Sequence, residues 1–171
     1  MKTLKGTENI NLSSVDQIPS GLMGRYEFLM NRPTQRIREI TEKILEPLKI
    51  IPKQYRILAT IHFEGPSSQR AIGEMLKIDR ATMVMLLDDL EEKGVTIRED
   101  YPKDRRYYLI HLTSSGKEVF QKAQKLIIKA EEEFLKPLTK MERQNLHKYL
   151  SKLFHSIPNI STHNGQRQGL K

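Results

Sequence analysis

The chain contains no cysteine and no tryptophan, and aromatic residues make up only 6% of its 171 residues. The absence of cysteine excludes disulfide bonds, thiolate metal ligands, cysteine nucleophiles and thiol-based redox sensing within the chain. No apolar run approaches the roughly 18 residues that a membrane-spanning helix needs. The first ten residues are polar and lack the apolar core of a signal peptide, so we expect a cytoplasmic protein that does not enter a membrane.

The signatures of common enzymes are also missing. The chain has no glycine-rich phosphate loop and no nucleophile elbow. The glutamates of the run 131–133 would point in different directions on a helix, so they do not form a pair of catalytic carboxylates. The chain has five histidines, and no pair of them lies at metal-ligand spacing on one helix face. They are His62, His111, His147, His155 and His163. We therefore expect no enzymatic activity, no metal site and no cofactor.

Positive charge is unevenly distributed along the chain. The net charge is +8, with +4 in residues 1–56, +6 in residues 113–171 and −2 in residues 57–112. A basic chain suits a polyanionic partner such as nucleic acid, although a lysine-rich solvated surface gives the same total. A polyanion would therefore meet the basic flanks, or individually placed cations in the middle.

Hydrophobic periodicity predicts helices over most of the chain. Apolar residues spaced by three and four predict a first helical stretch over 22–48, in which Pro33 should cause a kink or a break. Pro52 opens a short helix over 53–62, which ends at Glu64-Gly65-Pro66. The polar stretches 1–20 and 157–171 are expected to be flexible tails.

The middle of the chain has the order helix, turn, helix, hairpin. Ser67 or Ser68 can cap a helix over 69–76, and a second helix over 80–93 ends at Gly94. The second helix has one apolar stripe, which we expect to be buried: Met83, Leu86, Leu87 and Leu90. Strand-like patterns at 95–98 and 107–112 flank a charged loop and predict a β-hairpin. These elements predict a mostly α-helical (α+β) fold, a winged helix-turn-helix.

Two further helices follow the hairpin. Thr113 should cap the first, and the segment 139–142 forms a capping box at the start of the second. Their apolar stripes have no second layer to pack against in a chain of this length, so they should pack against a partner.

A winged helix places its second helix in the major groove of DNA. The alternative is a protein-interaction module or antirepressor without specific DNA binding.

Four segments, in order, resemble the MarR family of transcription regulators. Ile51-Pro52-Lys53-Gln54-Tyr55-Arg56-Ile57-Leu58 resembles the entry to the family's DNA-binding region, and Leu90-Glu91-Glu92-Lys93-Gly94-Val95 resembles the end of its recognition helix. Asp104-Arg105-Arg106 is similar to the wing signature, and Leu112-Thr113-Ser114-Ser115-Gly116 to the motif after the wing. The resemblance covers about 22–154.

This resemblance implies a homodimer that binds a pseudo-palindromic operator in double-stranded DNA. Residues 21–156 would form the MarR-like domain, with dimerisation helices at 21–49 and 113–156 and a DNA-binding lobe at 50–112. The implied function is that of a ligand-responsive repressor.

The resemblance places the DNA contacts at the starts of two helices and on the hairpin. The implied residues are Ser68, Gln69, Arg80, Ala81, Thr82, Met85, Arg98, Lys103, Asp104, Arg105 and Arg106. The chain departs from the family's pattern at Val84 and Met85, where many members carry hydroxyl and arginine side chains, and at Asp89, where arginine is common. Met85 cannot make the bidentate arginine contact with guanine, but it can touch a thymine methyl group. The spacing of Asp104 and Arg106 lets the carboxylate orient the guanidinium towards a minor groove.

Members of the family often respond to small aromatic or phenolic ligands bound between the dimerisation helices and the winged lobe. Five side chains are candidates to line such a pocket here: Tyr26, Met30, Tyr55, His62 and Phe63. Ordinary packing in the core or at an interface is the alternative explanation for each of them.

Overall fold

The computed structural model describes residues 20–100 and 108–156, which are mostly helical. The elements are α1 (Ser20–Met23), α2 (Tyr26–Leu45), α3 (Pro52–Glu64), β1 (Ser67–Ser68), α4 (Gln69–Leu76), α5 (Arg80–Glu92), β2 (Thr96–Asp100), β3 (Tyr108–Leu112), α6 (Ser114–Phe134) and α7 (Lys140–Ser156). The chain divides into two compact units, Met1–Ile128 and Lys129–Lys171. The predicted mostly α-helical, winged architecture is confirmed.

The first predicted helical stretch differs from the structure at its proline. α2 continues through Pro33, so the predicted break is wrong there, and the interruption lies earlier, at Gly24-Arg25. The proline ring fixes φ near its helical value, so a helix with turns on both sides continues at the loss of one backbone hydrogen bond. In the turn before Pro33, the backbone carbonyl of Met30 accepts a hydrogen bond from the hydroxyl of Thr34 at 2.7 Å.

The elements from α3 to α5 follow the predicted signals. Pro52 begins α3, and Gly65, with φ of 84°, ends it. Ser68 caps α4 by accepting a hydrogen bond from the backbone N–H of Ala71 at 3.2 Å. Gly94, with φ of 66°, follows the end of α5 as predicted. The helix-turn-helix is therefore encoded largely by its caps.

The strands form a three-stranded antiparallel sheet in the order β1-β3-β2. β2 pairs with β3 over five residues, from Thr96 opposite Leu112 to Asp100 opposite Tyr108, and forms the predicted hairpin. The sequence did not indicate β1, which pairs Ser67 with Ile110 and Ser68 with Leu109. Two residues are too short for a periodic signal, yet they attach the hairpin to the start of α4.

The core of the first unit lies beneath α5 and the sheet. The predicted stripe of α5 is buried there, and it packs with residues of α3, α4, β3 and α6. The largest fully buried side chains are Phe120, Leu45, Ile57, Leu58, Ile72, Met83, Leu87, Leu90 and Ile110. α5 is thus fixed along one side, while its opposite side faces solvent.

The second unit contains the end of α6 and all of α7. The predicted capping box is present, since the backbone N–H of Thr139 donates to the Glu142 carboxylate at 2.7 Å and the N–H of Glu142 donates back to the Thr139 hydroxyl at 3.4 Å. The Thr139 hydroxyl also donates to this carboxylate, at 2.7 Å, and it and the Thr139 backbone N–H hold the pKa of Glu142 below its usual value. α7 has no buried residue. None of the helices in 20–100 and 108–156 has the length and hydropathy needed to cross a membrane.

Candidate nucleic-acid interface

The start of α5 is fixed by an aspartate cap. The carboxylate of Asp79 accepts a hydrogen bond from the backbone N–H of Thr82 at 2.9 Å. The backbone N–H and the hydroxyl of Thr82 hold the pKa of Asp79 below its usual value. Asp79 falls in the turn between the two predicted helices, and an aspartate just before a helix is an ordinary capping signal. The cap positions Arg80 and Ala81, both exposed, at the beginning of the helix.

The solvent face of α5 carries exposed apolar side chains in its first half. Met85 is 72% exposed and Val84 is 37% exposed, and Ala81 lies on the same side one turn earlier. Residues separated by three and four positions share one face of a helix. The face that a DNA groove would meet therefore presents methyl and thioether groups, with the Arg80 guanidinium at its start.

Ser68 and Gln69 lie at the start of α4, as their predicted role requires. Both are half-buried. The hydroxyl of Ser68 is occupied by its capping bond to Ala71, and its backbone belongs to β1. Ser68 therefore has a structural role in addition to any contact with DNA.

Arg98, on β2, is held by two carboxylates of α5. Its guanidinium donates to Asp88 at 2.5 Å and to Glu91, and its backbone N–H donates to Glu91 at 3.0 Å. Burial by itself would lower the pKa of Arg98, but the hydrogen bond to Asp88 and the charge of Glu91 raise it above its usual value. Arg98 thus fastens the hairpin to α5, an arrangement that its charge alone did not reveal.

Asp89, where the family commonly has arginine, also has an internal partner. It accepts hydrogen bonds from the side chains of Gln54 and Lys93. The Asp89 carboxylate is therefore already paired within the fold.

The four candidate residues at the hairpin tip lie outside the described residues: Lys103, Asp104, Arg105 and Arg106. The proposed tails fall there as well, apart from Ser20, which begins α1. The predictions for these residues stay predictions.

Three of the five candidate ligand residues surround one buried ring. Phe120, which is fully buried, lies with its ring centroid 5.8 Å from that of Tyr55, 4.3 Å from that of His62 and 5.7 Å from that of Phe63. Phe63 itself is 65% exposed. Tyr26 and Met30 lie on α2 and are exposed. The structure therefore brings together an aromatic cluster with a buried centre and an open edge.

A cavity of about 380 Å³ lies where α2 joins α3, and none of those five residues lines it. Its walls are formed by Glu42, Lys43, Glu46, Lys49, Ile50, Ile51 and Pro52. Among the residues that the structure describes, no three histidine, aspartate or glutamate side chains are grouped so as to hold a metal ion.

A capped helix-turn-helix followed by a hairpin that is fastened to the second helix defines the winged-helix class of DNA-binding domains. The sequence profile of the MarR family matches residues 50–108, which span α3 to the start of β3. A Thauera aromatica protein described as a putative transcriptional regulatory protein for the hcr operon is 26% identical over 145 residues, covering 84% of this chain and 87% of that protein. Residues 50–108 of the chain are therefore similar to the MarR family of transcription regulators, and most of the chain is similar to one putative regulator.

Solved structures agree with this similarity. A transcriptional repressor, CouR, bound to a 23-mer DNA duplex is 26% identical, with a TM-score of 0.73 over 79% of this chain and 96% of that one. A mutant MarR from E. coli in complex with operator DNA is 26% identical, with a TM-score of 0.66 over 73% and 90% of the two chains. CouR of Rhodococcus jostii bound to p-coumaroyl-CoA is 22% identical, with a TM-score of 0.70 over 81% and 98%, and shares the fold.

Proposed function

We propose that this protein represses transcription by binding a pseudo-palindromic operator as a homodimer, with α5 of each protomer in the major groove. The observation that carries the proposal is the exposed face of α5, which is capped at Asp79 and fixed from behind by its buried stripe. A helix presented in this way reaches base edges, while the hairpin beside it reaches the neighbouring backbone or minor groove. Two structural relatives, CouR and the mutant MarR, were solved on DNA.

The proposed contacts fall into two groups. Arg80, Ala81, Thr82 and Met85 would meet base edges from α5, while Ser68 and Gln69 would meet the backbone from the start of α4. Lys103, Asp104, Arg105 and Arg106 would act from the hairpin tip. For Arg98 we propose an indirect role, because Asp88 and Glu91 already occupy its guanidinium.

Dimerisation is proposed from α7. Five apolar side chains spaced by three and four positions share one face of α7 and are exposed: Leu146, Tyr149, Leu150, Leu153 and Phe154. A contiguous apolar face on a helix without any buried residue marks an interaction surface. A second copy of the chain would bury it and would set two recognition helices at the spacing of an inverted repeat.

A small aromatic or phenolic effector is proposed at the open edge of the Phe120 cluster. His62 and Phe63 are exposed there and already stack in edge-to-face geometry, with ring centroids 5.0 Å apart. To release DNA, the effector must bind the two dimer arrangements with different affinities. We further propose that the protein acts in the cytoplasm and without catalysis.

Binding to the protein's own upstream region tests the proposal. We expect fluorescence anisotropy to show tighter binding to that duplex than to a shuffled duplex of the same composition, at several salt concentrations, since salt separates phosphate contacts from base reading. Sedimentation equilibrium should give twice the 20.0 kDa chain mass. Equal affinity for both duplexes by a folded dimer would favour the alternative, a protein-interaction module or antirepressor, for which the acidic residues of α5 are the supporting observation.

A further inference from the structure

The polar side chains along α5 are largely occupied within the fold. Asp88 and Glu91 accept hydrogen bonds from Arg98, and Asp89 accepts from Gln54 and Lys93. These side chains would have to give up internal partners before they could bond to a base. The exposed apolar groups of the same helix, on Val84 and Met85, have no such competing requirement.

The apolar groups of this face match one feature of the major groove. Thymine presents a C5-methyl group there, whereas cytosine presents an amino donor that needs an acceptor. A methionine side chain is flexible and polarisable, so it adapts its thioether to an apolar partner. Facing Met85, a cytosine amino group would lose water without gaining an acceptor, which costs free energy.

We propose that α5 recognises its half-site by the C5-methyl groups of thymines, through Met85 with Val84 beside it, rather than by hydrogen bonds along the helix. Arg80, at the first position of α5, supplies the polar contact at the edge of this reading face. The inference rests on the proposed operator binding and specifies which base chemistry the operator must offer.

Thymine-to-deoxyuridine substitution tests the proposal because it removes only the methyl group. The probe is the duplex from the protein's upstream region, first narrowed by footprinting to the protected site. Each thymine of one half-site is then replaced in turn by deoxyuridine. We expect one or two positions to lower affinity by about fourfold each, the effect of losing one buried methyl group. The same substitution in both half-sites should multiply the two losses.

Protein variants assign the effect to its side chain. Met85→Ala should bind the unmodified operator more weakly and should no longer distinguish thymine from deoxyuridine, whereas Met85→Leu should retain the distinction. Met75→Ala is the matched control, because Met75 is an exposed methionine of α4, at 54%. Met85 is 72% exposed, so its replacement should leave the fold intact.

Three outcomes separate the hypotheses. A footprinted operator that binds equally well with deoxyuridine at every thymine would overturn methyl reading and leave the proposed function standing. Discrimination that persists in Met85→Ala would overturn the assignment to Met85. A protein that protects no site on its upstream region would refute the proposed function, and this inference with it.

Discussion

The side-chain amide of Gln54, in the first turn of α3, donates a hydrogen bond to the carboxylate of Asp89 on α5. The other end of the same amide accepts from the backbone N–H of Ile51 at 3.0 Å. The Lys93 ammonium group donates to Asp89 at 2.5 Å and to the carbonyl of Lys49 at 2.7 Å. These bonds connect the chain before α3 with the end of α5.

Replacement of Asp89 by asparagine should weaken this connection. Asn keeps an acceptor for Gln54 but loses the charge that holds Lys93, and Gln54 is only 2% exposed, so its amide depends on a protein partner. We expect the free energy of unfolding at neutral pH to fall by about 0.5–1 kcal/mol, a small value because the Asp89 side chain is 44% exposed. Urea unfolding at fixed protein concentration measures it.

The effect of this substitution should depend on pH. Hydrogen bonds from Lys93 and then from Gln54 hold the pKa of Asp89 below its ordinary value of 3.8. A lowered pKa in the folded state stabilises the fold above the ordinary pKa, and the contribution is lost as the pH falls through the lowered value. The difference between wild type and Asp89→Asn should therefore be full at about pH 6 and shrink below about pH 4. The control is Glu92→Gln, the same change of charge at an exposed position of α5. A difference that stays constant with pH would contradict the role of the Asp89 charge.

Loss of Arg98 should loosen the hairpin from α5. Arg98→Met leaves Asp88 and Glu91 without their shared cation, and bonds to charged groups contribute about 1.5–3 kcal/mol each. Because Asp88 is 56% exposed, we expect a total loss of only about 1–3 kcal/mol in unfolding free energy. Lys122→Met, which removes an exposed ion pair with Glu118, should change it by less than about 0.5 kcal/mol.

The salt dependence of operator binding distinguishes two roles for Arg98. The sequence predicted that Arg98 contacts DNA. If that contact is to a phosphate, removal of the arginine would reduce the slope of log affinity against log salt by about one. A purely internal role leaves that slope unchanged while affinity falls, because α5 and the hairpin lose their fixed geometry. We expect the second result. A reduced slope with unchanged stability would show that Arg98 contacts DNA directly.

The sequence predicted much of this fold because its signals are local. Ser68 and Thr139 cap the starts of their own helices with their side chains, and the spacing of apolar residues alone predicts the buried stripe of α5. The partners of Arg98 and Asp89 were not predictable in this way. Asp88 and Glu91 lie 10 and 7 residues from Arg98 along the chain, Gln54 lies 35 residues from Asp89, and only tertiary packing brings them together. Both residues therefore looked like free surface charges until the fold was known.

Gly116 should be intolerant of any side chain. A Cβ atom built on Gly116 would lie 2.0 Å from the carbonyl oxygen of Val95, which is backbone and cannot swing away. In a helix alanine is ordinarily favoured over glycine by about 0.5–1 kcal/mol. We expect Gly116→Ala to destabilise the protein by about 1–3 kcal/mol instead, as overpacking does. Gly21→Ala is the control, because nothing lies within 4 Å of the position that a Cβ atom would take there. Thermal unfolding in which both variants gain stability would refute the close contact.

Substitutions in the aromatic cluster should show which of its residues stabilise the fold and which are available to a ligand. Phe120 is fully buried and touches three rings, so Phe120→Ala should cost about 3–5 kcal/mol of unfolding free energy. Phe63 contacts the same ring but is 65% exposed, so Phe63→Ala should cost less than about 1 kcal/mol. Both values come from urea unfolding at one protein concentration, since a dimer's stability depends on concentration.

The Phe63→Ala variant, which we expect to remain folded, then tests the effector hypothesis. We expect a panel of phenolic acids to contain compounds that raise the melting temperature of the wild type and weaken its operator binding. The same compounds should lose both effects on Phe63→Ala, because the exposed ring at the edge of the cluster supplies the stacking surface. Tyr108→Ala is the control, an exposed aromatic residue of β3 at 52%. Compounds that act equally on wild type and Phe63→Ala would place the effector elsewhere, and the cluster would then be packing alone.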